Sequence, residues 1–164
     1  MPDNKASGGV GDDEFVYRRV PVSANRYDPS RRDLSPDAFD PHKKSDPDGL
    51  SVVRARSEGH PDFLTPEQTA AAGPSAKGYY IAVLRVGDLR QNGIDVVPDP
   101  IVEHGKECPA HALIPCINAS NRGTQFALDI MVLLAHKHTV EVLGPFGKLA
   151  DARNGGPGGA VTDS

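Results

Sequence analysis

Tryptophan is missing from this 164-residue chain, and cysteine occurs only twice. Two cysteines cannot staple a disulfide-dense secreted scaffold. With aromatics at 5%, stacking platforms for single-stranded nucleic acid are not prominent either. Positive charge is not in excess: Lys and Arg number 18 against 22 Asp and Glu, a formal charge of −4. That balance argues against bulk attraction to phosphates as a mode of nucleic-acid binding. Long apolar runs are lacking as well. The longest, Phe126 to Ala135, is interrupted by Asp129 and spans half a bilayer at most, so no membrane association is expected. The polar start, Met1 to Gly9, has no apolar stretch of the kind a secretory signal needs. A cytoplasmic protein is the resulting expectation, with Cys108 and Cys116 as reduced thiols or metal ligands. Whole catalytic motifs are absent: there is no Gly-x-Ser-x-Gly elbow, His-Glu-x-x-His pair or nucleotide fingerprint.

Glycine (17) and proline (15) are plentiful, together about a fifth of the chain against an average near 12%. Their distribution divides the chain. Residues 1–13 and the Gly-rich tail 148–164 have little to bury and are expected to be disordered, which leaves a single domain over 14–147. Within it, 23–48 is read as a long Pro/Asp-rich loop with few aliphatic anchors beyond Tyr27, Leu34 and Phe39. Ser35-Pro36 predicts one helical turn, serine capping and proline at the first position.

Periodicity supplies the rest. Glu14–Val22, Leu50–Arg54, Tyr79–Val86, Ile94–Val97, Ala110–Cys116 and Thr139–Leu143 read as strands. One helix continuing through Tyr79–Asn92 is the competing reading of that segment. Thr65-Pro66-Glu67-Gln68 carries a capping box for a short helix to Ala72, and Asp88–Asn92 predicts another that Gly93 closes. A long C-terminal helix is expected from a Ser120 or Asn121 cap to about His136, with Phe126, Ile130, Leu133 and Leu134 on its apolar face. Because further apolar residues widen that arc, the helix is expected to be well buried. The order of elements predicts an α+β fold: a mixed sheet with the C-terminal helix packed on it.

Two groups of residues could carry chemistry. His104, Cys108, His111 and Cys116 lie within thirteen residues, and thiolate with imidazole suits zinc. Against a metal, Pro109 and Pro115 stiffen the segment, and strand alternation over 110–116 would put His111 and Cys116 on opposite faces. The alternative is that these are ordinary core and loop residues. The second group begins with Arg18 and Arg19, which interrupt an apolar strand. Alternation sends one of them inward, where a guanidinium needs a carboxylate or a phosphate. A buried structural ion pair and a ligand-anion site are the two readings. The candidate ligand-binding residues are accordingly Arg18, Arg19, Ser35, Phe39, Ser51 and His111, the last able to act as general acid or base near neutrality.

The succession Tyr17-Arg18-Arg19-Val20, Ser35-Pro36-Asp37-Ala38-Phe39, Leu50-Ser51-Val52, Asp99-Pro100 and Pro109-Ala110-His111-Ala112 resembles a pattern in small uncharacterised bacterial proteins of mobile-element or defence neighbourhoods. That resemblance covers roughly 17–115 and implies no particular activity. Arg19, Ser51 and Glu103 also occur in the order that ADP-ribosyltransferase-like folds use, although Glu103 falls in a predicted loop. Two functions are thus expected to compete. One is a binding or accessory protein for another protein or a small anionic ligand, with the 23–48 loop and the Arg18/Arg19 strand as its surface. The other is an enzyme acting on a nucleotide or phosphate-bearing ligand.

Overall fold

The computed structural model describes residues 9–41, 46–103 and 105–147. In chain order the strands are β1 (Phe15–Pro21), β2 (Tyr27–Asp28), β3 (Asp33–Leu34), β4 (Leu50–Arg54) and β5 (Tyr79–Arg85), then β6 (Val97–Pro98), β7 (Ile101–Glu103), β8 (Lys106–Cys108), β9 (His111–Ile114) and β10 (Thr139–Phe146). The α-helices are α1 (Pro66–Ala71), α2 (Val86–Gln91) and α3 (Gln125–Leu133). A 3₁₀ turn occupies Pro36–Phe39, and a π-helical turn, Leu134–His138, leads from α3 into β10. Six strands form the main sheet in the order β10-β5-β1-β4-β9-β6, while β2–β3 and β7–β8 are separate two-stranded ribbons. The fold is α+β. Every pairing between named strands is antiparallel, and the parallel contribution is the isolated Ala55–Leu64 bridge just past β4.

Alternation along the strands gives the sheet two apolar faces. On the first, Val16, Val20, Val52, Ala82, Leu84, Ala112 and Ile114 meet α2, α3 and both irregular turns in the main core. On the second, Ile81, Val83 and Tyr79 pack with Ala70 of α1, and Tyr17, Leu143 and Phe146 lie against them. Each large aliphatic side chain removed from water contributes about 1.5–3 kcal/mol, so the first face carries most of the stabilisation. β5 is buried at six of its seven positions because both of its faces are covered.

The predicted capping devices form as their chemistry dictates. Thr65 accepts from the Gln68 N–H while Gln68 Oε1 accepts from the Thr65 N–H, with Pro66 at the first helical position. Ser35 Oγ accepts from the Asp37 N–H at the 3₁₀ turn. Tyr79–Asn92 is strand followed by helix rather than one helix.

Other expectations need correcting. The 23–48 segment is not an open loop: β2 and β3 pair as a hairpin, Leu34 and Phe39 are buried in the main core, and Tyr27 meets Tyr80 edge to face at 4.7 Å. Thr124, not Ser120 or Asn121, caps α3 by accepting from the Ala127 N–H. Asn118 and Asn121 instead tie the preceding turn to the Pro115 and Cys116 carbonyls. Nor is α3 well buried all round. Its buried stripe is Ala127, Ile130, Met131 and Leu134, whereas Phe126, Leu128 and Val132 face outward. The expected face (Phe126, Ile130, Leu133, Leu134) and the buried one (Ala127, Ile130, Met131, Leu134) both satisfy the helical period, so periodicity alone could not choose between them. Of Ile94–Val97 only Val97 is in a strand, and the predicted loop around Glu103 is instead the β7–β8 ribbon. The fold also starts earlier than composition suggests, since Val10 is part of the main core. Residues 1–8 and 148–164, expected to be disordered, lie outside the described residues.

Candidate functional site

Arg18 and Arg19 part to opposite sides of the sheet, as alternation requires. Arg18 shares the first face with Val16 and Val20. Its Nε donates to the Ala38 carbonyl (3.0 Å) and its Nη1 to the Ser51 carbonyl (2.9 Å), with the Asp46 carboxylate 3.9 Å away. Asp46 Oδ1 in turn accepts from the Ser51 N–H. Burial holds the Arg18 guanidinium below its usual pKa, and Asp46 opposes that shift. This is an internal tie between β1, β4 and the 23–48 segment. Arg19, on the second face, donates to the Thr69 carbonyl (3.3 Å) and lies 5.9 Å from the centre of the Tyr79 ring, pinning α1 to the sheet. Ser35 is a cap and Phe39 a core residue. His111 Nδ1 sits 3.1 Å from Asp99 Oδ2 and 3.0 Å from the Asp99 carbonyl, a pairing that fastens β9 to the residue after β6. Arg19, Ser51 and His111 are thus engaged with different elements, and none lines the cavities described below. Glu103 lies in the separate β7–β8 ribbon.

The suggested metal ligands fare similarly. His104 lies outside the described residues. Among the described residues, no three His, Cys, Asp or Glu side chains form a group able to hold a metal ion. Cys116 rests against the main core, and burial pushes its thiol pKa up, which disfavours the thiolate a metal requires.

A buried ionic cluster that the sequence reading did not single out forms where β1 meets β4. Arg54 Nε donates to Glu14 Oε1 (2.9 Å) and Arg54 Nη2 to Glu14 Oε2 (2.8 Å), a two-pronged pair with both side chains at least 95% buried. Glu14 Oε2 also accepts from the Gly11 N–H, and His60 Nε2 is 3.5 Å from it. Burial pushes the Glu14 carboxyl upward. Arg54 and the Gly11 N–H, with His60 beyond them, more than reverse this and hold it below the ordinary carboxylate range. Phe63 completes the group, its ring 4.5 Å below the Arg54 guanidinium and stacked on His60 at 4.8 Å. A signal was available: Arg54 shares parity with Leu50 and Val52, so the alternation that marked Arg18 marks Arg54 as well.

Beyond this cluster the second face opens into a cleft of about 560 Å³. Phe15, Tyr17, Val83 and Leu143 supply apolar walls, and Asp13, Glu58 and Glu141 give it acidic charge. Burial raises the pKa of the Tyr17 phenol, and the charges of Glu141 and Glu67 raise it further. On the first face a second cavity, of about 580 Å³, is lined by Tyr27, Arg32, Leu34, Ala135, His136 and Val142, among others. His136 Nε2 donates to the Leu34 carbonyl there (3.1 Å).

The two cavities share one border. Val140 and Glu141 of β10 line both, and the neighbouring residues of β10 divide between them. Glu141 and Leu143 pair with Val83 and Ile81 of the second face, whereas Val142 pairs with Ala82 of the first. β10 is also an edge strand, hydrogen-bonded on one side to β5 alone. The opposite edge, β6, has two residues, one of them proline, and offers little backbone for pairing. No hydrophobic spacing pointed to this site, because an edge position is a property of strand order and not of any strand's own residues. No protein-family model matches the chain, and neither curated proteins nor solved structures show significant similarity to it.

Proposed function

We propose that this protein is a binding module that takes an extended segment of another protein as an added strand along β10. The observation that carries this reading is the pair of cavities on opposite faces of one open edge. An added strand gains affinity from main-chain hydrogen bonds, and its alternate side chains enter pockets on alternate sides. The usable edge is Thr139–Leu143, before Pro145, which has no N–H to offer. Val140, 52% exposed, is its second residue and lies at the register shift between Thr139 and Glu141. The enzyme alternative draws less support, since Arg19, Ser51 and His111 are each committed to holding the fold.

Selection of short random peptides on the full chain, followed by hydrogen exchange of the complexes, tests the reading. Bound peptides should slow exchange of the 139–143 amides. Val140→Pro, which stiffens the strand at its register shift, and Val140→Lys, which places a charge on the edge, should each weaken binding roughly tenfold. Binders that leave β10 exchange unchanged would sink the reading.

A further inference from the structure

Strand addition on β10 says where a partner sits but not which one, and the two cavities differ in chemistry. Resting on the reading above, we propose that the added segment is basic: it places a lysine or arginine side chain in the second-face cleft, beside Glu58 and Glu141, and apolar side chains in the first-face cavity.

The charge balance of the cleft carries the argument. Glu14 is already paired with Arg54, whereas Arg56, also in the lining, hydrogen-bonds only the neutral Phe63 carbonyl (3.1 Å) and Gln68 Oε1 (3.4 Å) and so keeps its charge in the balance. Asp13, Glu58 and Glu141 form no ion pair among the described residues. Three carboxylates against the Arg56 guanidinium leave the lining net negative, beside an edge where backbone pairing would hold a partner. Phe15, Tyr17 and Leu143 line the same cleft as those carboxylates. A cleft that combines apolar walls with carboxylates matches a long side chain with a methylene stem and a cationic head, and the rings add a favourable face for the cation. Side chains of the opposite parity would meet Leu34, Ala135 and Val142, which suits a β-branched aliphatic residue. A second copy of this chain suits the edge less well. It would bring its own acidic β10, with Glu141, against the same carboxylates.

NMR titration of the full chain with three acetylated, amidated peptides tests this directly: Thr-Val-Arg-Val-Thr and its Gln and Glu counterparts at the central position. The Arg peptide should shift the 139–143 amide signals and bind roughly fivefold or more tightly than the Gln peptide, and the Glu peptide should be weakest. The Arg preference should shrink with added salt and vanish in Glu58→Gln/Glu141→Gln. Equal shifts of β10 by the Arg and Gln peptides would overturn the basic partner and leave strand addition standing. If none of the three perturbs β10, strand addition itself fails. Concentration-dependent shifts of β10 without peptide would overturn the proposal in favour of a second copy.

Discussion

Arg54 grips the Glu14 carboxylate with two nitrogens, at 2.9 and 2.8 Å, and in doing so joins β4 to the residue that leads into β1. Both side chains are nearly sealed from water, so neither charge can be left alone. Arg54→Met should destabilise the protein by about 3–5 kcal/mol, the usual cost of stranding one buried charge. Glu14→Gln/Arg54→Met should recover part of that loss, and urea unfolding of the two variants measures the difference. The Glu14 carboxyl is held below its ordinary value of 4.5 in the fold. Its contribution is therefore fully present above that value and is lost as pH falls through the lower, folded value. Urea midpoints followed downward from neutral pH should drop more steeply in the natural chain than in Glu14→Gln.

His138 ends the π-helical turn with its Nε2 buried and without a hydrogen-bond partner among the described residues. Burial and the Lys137 charge hold its pKa below 6.5, against the pull of Asp88. The fold thus favours the neutral ring over the charged one. Its contribution is complete above pH of about 6.5 and declines as pH falls from there through the folded value. His138→Leu should flatten this part of the stability profile. A profile unchanged by the substitution would refute the assignment.

Phe39 and Leu34 anchor the Pro/Asp-rich segment in the main core, where Phe39 is fully buried and Leu34 nearly so. Phe39→Ala should cost about 3–5 kcal/mol and Leu34→Ala about 2–5 kcal/mol. Thermal unfolding provides the readout. Losses under 1 kcal/mol would mean the segment is a removable surface loop after all.

Gly78 stands before β5 with φ +84°, and a Cβ there would run into the Phe146 carbonyl at the end of β10. Gly93 also has a positive φ, +76°, but open space around it. Gly93→Ala should cost on the order of 1 kcal/mol from backbone strain alone. Gly78→Ala should cost more and should speed amide exchange along β10. Equal effects of the two variants would show that the close approach of β10 does not matter.

The legible parts were those decided by near neighbours. The capping box from Thr65 to Gln68 and the Ser35 cap need only side chains within three residues of the backbone N–H each accepts from. β4 falls at Leu50–Arg54, as its β-branched run predicts. The phase of α3 was not legible, because residues 126–135 are apolar on more than one side and only packing against the sheet selects Ala127, Ile130, Met131 and Leu134. The ribbon Ile101–Cys108 was missed for a different reason: three-residue strands give alternation too little length to register. Arg18 was marked as an inward charge by its strand, but its Asp46 neighbour lies 28 positions along the chain and could not be named.

By itself, then, the sequence determined the α+β class, the Thr65 and Ser35 caps and the longer strands, since these follow from local geometry and period. It also determined that an inward arginine in β1 would need a partner. Tertiary structure alone decided that Tyr27, Leu34 and Phe39 turn a proline-rich loop into part of the core. Strand order likewise left β10 open while β6 closed the other edge with a proline. Edges and clefts arise from which strands become neighbours, and that choice rests on burial summed over the whole chain.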